Sequence, residues 1–326
     1  MTTVAYCHPL VPPEWIAAHG LQPRWLQPER APAAGRGAAR GVCAYAGAVA
    51  DAAVRGLDAA ALVLTTVCDQ MRYAAAAIDR VGRQPVFLLD VPATWQTAVA
   101  RQMYLEELRR LGRFLVRLGG RSPSMEELAE QMRAYGAARA ALLAARDGYS
   151  SRQFTEELLR LRSANFPSSP PRRPQGASDA VPLAIVGGPL VEKDFDLFDF
   201  VERWGGRVAL DATECGTRLL PADFDQQQLA DDPLAELARA YFDAIPDVFR
   251  RPNDALFTWL GPQMAERGVR GLLFRRYVWC DLWHAELHRF RQWSPVPVLE
   301  IDVHHDDQGV PPRIAGRVEA FLEMLR

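Results

Sequence analysis

Ala60-Ala61-Leu62-Val63-Leu64-Thr65-Thr66-Val67-Cys68-Asp69-Gln70-Met71-Arg72 is the stretch that decides the fold. Its first half is a short apolar run with β-branched residues. A polar break and a helical pattern follow, which predicts a buried strand feeding a helix. Strand and helix in direct succession argue for a parallel sheet with helices packed on it. Cys68 then sits at the carboxyl end of a strand, where α/β sheets place their ligands.

Working outward, the same alternation repeats on both sides. Thr3-Val4-Ala5-Tyr6 and Pro23-Arg24-Trp25-Leu26 read as strands before it, and Pro85-Val86-Phe87-Leu88-Leu89 as a strand after it. A proline-led helix starts at Pro12-Pro13-Glu14 and ends at Gly20. From Thr94 to Arg162 the pattern changes: Leu105, Leu108, Leu111, Leu115 and Leu118 recur at helical spacing. Ser122 or Ser124 caps a further helix, and three helices packed as a separate layer are expected here. Pro167-Ser168-Ser169-Pro170-Pro171-Arg172-Arg173-Pro174 reads as a linker. Alternation then resumes, with strands at Leu183-Ala184-Ile185-Val186, Val208-Ala209-Leu210, Gly271-Leu272-Leu273-Phe274 and Val296 to Ile301. The fold class is therefore α/β, with two parallel-sheet domains of Rossmann or flavodoxin type and a helical insertion between them. The reading divides the chain into an N-terminal domain over 1–93, a helical segment over 94–165, a linker over 166–182 and a C-terminal domain over 183–326.

The chain has 326 residues, a net charge of −2 and five cysteines. That charge leaves no basic footprint for nucleic acid. No secretory signal and no membrane-length apolar run stand out, so a cytoplasmic protein is expected. Five cysteines in a chain this size suit metal binding or catalysis better than a secreted disulfide framework. Lys193 is the single lysine. No P-loop is present, and Gly35-Arg36-Gly37-Ala38-Ala39-Arg40-Gly41 misses the dinucleotide spacing by one residue. If ATP is used, another protein hydrolyses it.

Cys280 repeats the setting of Cys68: a short strand precedes it, and Tyr277-Val278-Trp279-Cys280-Asp281 opens a helix. Cys43, in Gly41-Val42-Cys43-Ala44-Tyr45, also opens a helical pattern. A buried cysteine taken singly is a small hydrophobe. Three in equivalent local positions suggest one site, and helix starts favour thiolates and anionic clusters. Three thiolates suit a [4Fe–4S] cluster with one iron open, or a zinc ion with a free position. Cys280, His284 and His288 are spaced four apart and form an alternative zinc set, although the two histidines read better as an exposed helix face. His304-His305-Asp306-Asp307 reads as a solvated loop.

Taken together these segments resemble the 2-hydroxyacyl-CoA dehydratase and benzoyl-CoA reductase family, which includes the 2-hydroxyglutaryl-CoA dehydratase component D subunits. The similarity runs nearly the whole length. It is carried by Tyr6-Cys7-His8-Pro9-Leu10-Val11-Pro12-Pro13-Glu14-Trp15-Ile16, by Cys68-Asp69 with Arg72, and by Leu89-Asp90-Val91-Pro92. Val186-Gly187-Gly188-Pro189, Trp204-Gly205-Gly206-Arg207-Val208, Cys215-Gly216-Thr217-Arg218, Trp279-Cys280-Asp281 and Pro297 to Asp302 also match. The resemblance implies a [4Fe–4S] cluster on Cys43, Cys68 and Cys280, with Cys7 and Cys215 outside the ligand set. It implies an acyl-CoA substrate and single electrons from an ATP-dependent iron–sulfur activator protein. It also implies a paralogous subunit or homodimer as partner. Radical dehydration by a lyase, reduction of an acyl-CoA, a double-cubane type reductase of small molecules, and a cluster-bearing electron-transfer subunit without substrate all occur or fit within this resemblance. The chain departs from the pattern after Cys43, where Ala44-Tyr45-Ala46-Gly47 stands in place of the proline and arginine that members often carry. No catalytic side chain is assigned from the sequence.

Overall fold

The computed structural model describes residues 1–29, 41–164, 179–307 and 309–326. The near-miss glycine stretch, apart from Gly41, and most of the proline-rich linker lie outside the described residues.

The first sheet is formed by β1 (Thr3–Tyr6), β2 (Gln22–Trp25), β3 (Ala61–Thr65) and β4 (Val86–Leu89), in the order β2-β1-β3-β4. All three pairings are parallel. Helices α1 (Pro13–Ala18), α2 (Ala44–Arg55) and α3 (Asp69–Val81) make the crossovers. The second sheet contains β5 (Val181–Gly187), β6 (Gly206–Ala212), β7 (Gly271–Tyr277) and β8 (Val298–Val303), in the order β6-β5-β7-β8, again parallel. Both sheets therefore have one topology, in which the first strand of each lies between the second and the third. The fold is α/β with two parallel-sheet domains, as the alternation predicts.

Every residue of β3 and β7 is buried. Strands covered on both faces need such continuous burial, which is why Ala61-Leu62-Val63-Leu64-Thr65 shows no alternation. β7 runs further than its apolar core. Arg275, Arg276 and Tyr277 belong to the strand, where the sequence places a helix opening at Tyr277. Arg275 is fully buried and meets Asp194 at 2.6 Å, and Tyr277 donates to the same carboxylate. The salt bridge makes a charged residue tolerable in a central strand.

Between the sheets lie α4 (Ala98–Arg117), α5 (Met125–Ala144) and α6 (Ser151–Arg162), with no strand among them. Ser124 is the cap of α5 and forms a capping box with Glu127; Ser150 and Gln153 do the same for α6. These helices do not form a separate layer. Tyr6 of β1 donates to the Arg162 carbonyl at 2.7 Å, while Thr155 donates to Asp211 of β6 at 2.8 Å. α6 thus touches both sheets. Leucine spacing reports that a helix face is buried, not what covers it. One apolar core runs from Val4 to Leu325 across both halves.

The remaining helices are α7 (Asp196–Arg203), α8 (Gln226–Asp231), α9 (Pro233–Ala238), α10 (Asp254–Glu266), α11 (Asp281–Trp293) and α12 (Pro312–Leu325). Val181 and Pro182 start β5, so the last two residues assigned to the linker belong to the sheet. No helix among the described residues is long and apolar enough to cross a membrane.

Candidate functional site

The carboxyl ends of the two sheets share one cavity of about 220 Å³. β1 delivers Cys7 and His8 to it, β3 delivers Cys68, β6 delivers Glu214 and β7 delivers Cys280. Cys43 arrives at the start of α2. The three cysteines expected to act together therefore line the same cavity, two from the first half and one from the second. Cys68 and Cys280 hold equivalent stations, each after the third strand of its sheet.

Each of these cysteines is the residue that begins a helix: Cys43 for α2, Cys68 for α3 and Cys280 for α11. The Cys43 thiol accepts from the Ala46 N–H at 3.4 Å. Gln70, two residues past Cys68, accepts from the Cys43 N–H at 3.0 Å and ties the two loops together. His305, in the loop after β8, contacts the Val42 carbonyl and holds the Cys43 loop against the second half. His305 is thus a bracing residue, not part of the solvated loop alone.

Burial pushes the Cys43 thiol up to about 11, and those of Cys68 and Cys280 up to about 12. The backbone N–H groups of Ala46, Met71 and Trp283 respectively oppose that rise, while Glu214 adds to it in all three, joined by Asp281 at Cys43 and by neighbouring thiols at Cys68 and Cys280. The thiols hold their protons at neutral pH, so a metal centre bound here would release them.

His8, Glu214 and Asp247 also line the cavity, and sequence reading did not single them out. His8 accepts the Leu10 N–H on Nδ1 at 3.2 Å, which leaves the Nε2 proton facing Glu214 at 3.9 Å. Burial lowers His8 to about 4. Burial, and then repulsion from Asp247, raise Glu214 to about 8, against the pull of Arg218 and Arg162. Burial thus disfavours the charged form of both partners. Beneath them, Arg218 is fully buried and donates to Asp247 at 3.0 Å and to the carbonyls of Ala212, Gly187 and Pro246. The rule that places ligands at strand ends applies equally to His8 and Glu214, and was the signal available for them.

Other expected residues fall elsewhere. His284 and His288 are exposed on α11 and do not line the cavity; His284 contacts Arg276 instead. Cys215 is buried outside the cavity, with its thiol toward the Leu190 carbonyl. Cys7 does line it, and burial pushes its thiol strongly up. Among the described residues no three His, Cys, Asp or Glu side chains are gathered as the ligands of a metal ion. The zinc set Cys280, His284 and His288 is therefore not assembled.

No curated protein matches the sequence. Among solved structures, SBP FpvC from Pseudomonas aeruginosa in complex with Mn2+ is 15% identical, with 100% of this chain and 96% of that chain covered and a TM-score of 0.25. SBP FpvC in complex with Ni2+ is 12% identical, with the same coverage and a TM-score of 0.25. Likeness at that level carries no argument. The family model for 2-hydroxyglutaryl-CoA dehydratase, D-component, matches residues 10–325, which takes in every residue of the cavity except Cys7 and His8. The chain belongs to the 2-hydroxyglutaryl-CoA dehydratase D-component family.

Proposed function

We propose that this chain is an iron–sulfur subunit of the 2-hydroxyacyl-CoA dehydratase type, with a [4Fe–4S] cluster held by Cys43, Cys68 and Cys280. An acyl-CoA is its substrate, an ATP-dependent iron–sulfur activator supplies single electrons, and a second subunit, paralogous or identical, completes the enzyme. The observation that carries the reading is the presence of three thiols from both halves around one cavity, each at the start of a helix.

The gathering of three thiols around one cavity supports the group. A cubane spreads its thiolates more widely than a single ion does, and the positive ends of α2, α3 and α11 offset the negative charge of a thiolate-bound cluster. When bound, such a cluster supplies a low-potential electron and an iron position free to polarise an oxygen. The chain's own residues do the rest. Arg218 and Asp247 fix the floor, and Glu214 with His8 can hold or pass a proton beside the thiols. The dehydratase reading is preferred over a reductase because the matching family is a dehydratase component.

The test is iron and acid-labile sulfide analysis of anaerobically purified protein, with the Cys68→Ser variant beside it. Wild type is expected to carry both elements and a brown chromophore. The variant should lose most of them while keeping its circular dichroism. Stoichiometric zinc without sulfide, or full iron retention in the variant, would overturn the assignment.

A further inference from the structure

Cys68 and Cys280 each stand three residues past the end of a central strand, β3 and β7, in which every residue is buried. A strand packed on both faces fixes the residues that follow it. Cys43 has no such support. The strand before it in the chain, β2, ends at Trp25, and among the described residues no other element lies between them. Its position therefore comes from contacts with other segments.

Two side chains make those contacts. Gln70, in the first turn of α3, accepts from the Cys43 N–H at 3.0 Å. The Val42 carbonyl can only accept, so half-buried His305 donates to it from Nε2. The imidazole also lies over the first turn of α2: its Cε1 is 3.8 Å from the place a Cβ would take on Gly47, which is ordinary contact. The Ala46 N–H reaches the thiol itself at 3.4 Å. The start of α2 is thus already capped by Cys43, and the two side-chain bonds fix where that start lies rather than whether it forms. Gln70 belongs to the loop of the companion thiol Cys68. His305 comes from the other half of the chain, past the end of β8.

We propose that Gln70 and His305 are positioning residues for Cys43. They set the third thiol against the other two, and His305 does so from the opposite half, so the place of this ligand depends on how the halves are docked. This rests on the reading of Cys43, Cys68 and Cys280 as ligands of one centre. Partners that orient a metal ligand are worth about 10–100-fold in metal affinity.

The test is iron capture. Anaerobically purified protein is mixed with an excess of the ferrous chelator bipyridyl, and the rate of iron release is compared among variants whose circular dichroism matches wild type. His305→Ala and Gln70→Met are each expected to release iron about tenfold faster. His305→Gln keeps an N–H where Nε2 stood and should stay within about twofold of wild type. In a Cys43→Ser background, His305→Ala should add less than about twofold, because a residue that acts through Cys43 has nothing left to position. Wild-type release rates in both single variants would overturn the proposal. So would a glutamine variant as fast as the alanine one, or the same factor in both backgrounds, since His305 would then act on the fold at large. Gln70→Met carries the test if His305→Ala fails to fold, and the glutamine rescue decides if Cys43→Ser holds no iron. A wild type without iron and sulfide removes the cluster reading and this proposal together. A wild type that holds its cluster while the variants release iron no faster removes this proposal alone.

Discussion

Arg218→Met should be among the most damaging single changes near the cavity floor. The Arg218 side chain is fully buried and Asp247 is nearly so. Its guanidinium donates to Ala212 O at 2.7 Å, Pro246 O at 3.0 Å, Gly187 O at 3.2 Å and Asp247 Oδ2 at 3.0 Å. Methionine keeps much of the length, so the cavity created is small and the electrostatic loss dominates. Asp247 keeps only the Phe249 N–H at 3.2 Å among the donors that now reach it, and three carbonyls lose a partner. Removing one member of a buried pair costs about 3–5 kcal/mol. At about 2.1 cal/mol/K of unfolding entropy per residue, that lowers the melting midpoint by about 4–7 °C. Asp247→Asn should cost less, about 1.5–3 kcal/mol, because Arg218 keeps its three carbonyls. The double variant should fall short of the sum of the two by at least about 1 kcal/mol, since both changes remove the same contact. Thermal and urea unfolding of the four proteins at pH 7 reads all of this. An Arg218→Met protein melting with the wild type, or strictly additive losses, would refute the account of a buried, mutually dependent pair.

Glu14 is wholly buried, and burial raises its carboxyl above the ordinary value despite Arg139 and the Tyr241 hydroxyl, which donates to it at 2.7 Å. A raised acid keeps its proton in the folded state after the unfolded chain has lost it, so stability from this group is complete below the ordinary carboxylate range and falls as pH rises above it. Glu14→Gln should therefore gain stability relative to wild type as pH rises from about 5 to 8; a difference that does not change with pH would contradict this. Gly187→Ala should destabilise by more than about 2 kcal/mol, because its Cβ would lie 2.0 Å from a strand carbonyl that cannot rotate away; wild-type expression and melting would show that the strands can part.

The strands were legible where burial is continuous. Ala61–Thr65 announces itself because a two-faced parallel strand needs an unbroken apolar run. The end of β7 was hidden because Arg275 and Arg276 look like the edge of a strand, and only Asp194, 81 residues upstream of Arg275 in the chain, makes the first of them a core residue. α8 went unread because Gln226-Gln227-Gln228 has little apolar pattern; its signal was the Asp225 cap, which accepts from Gln228 N–H at 2.9 Å. In the site, Cys68 and Cys280 were legible because each follows a strand and opens a helix within a few residues. Glu214 and Asp247 were not, because their meaning depends on each other and on Arg218, and no local pattern joins them. The helices between the sheets were read as helices, but their role as the wedge between two halves depends on long-range bonds such as Thr155 to Asp211.

The repeated strand order has a consequence for assembly. Each half of the chain contributes one proposed ligand from the same station after its third strand, and the third proposed ligand, Cys43, comes from the first half. Neither half carries all three of the proposed ligands by itself. Whatever binds all three is held only when the halves have closed on each other, so its retention reports correct docking. In the other direction, such a ligand acts as a latch: opening the cleft by even a few ångströms would strip Cys280 from its two companions. A folding chain that has formed both sheets but not yet joined them would be indistinguishable by secondary structure from the finished protein, and distinguishable at once by what it can bind.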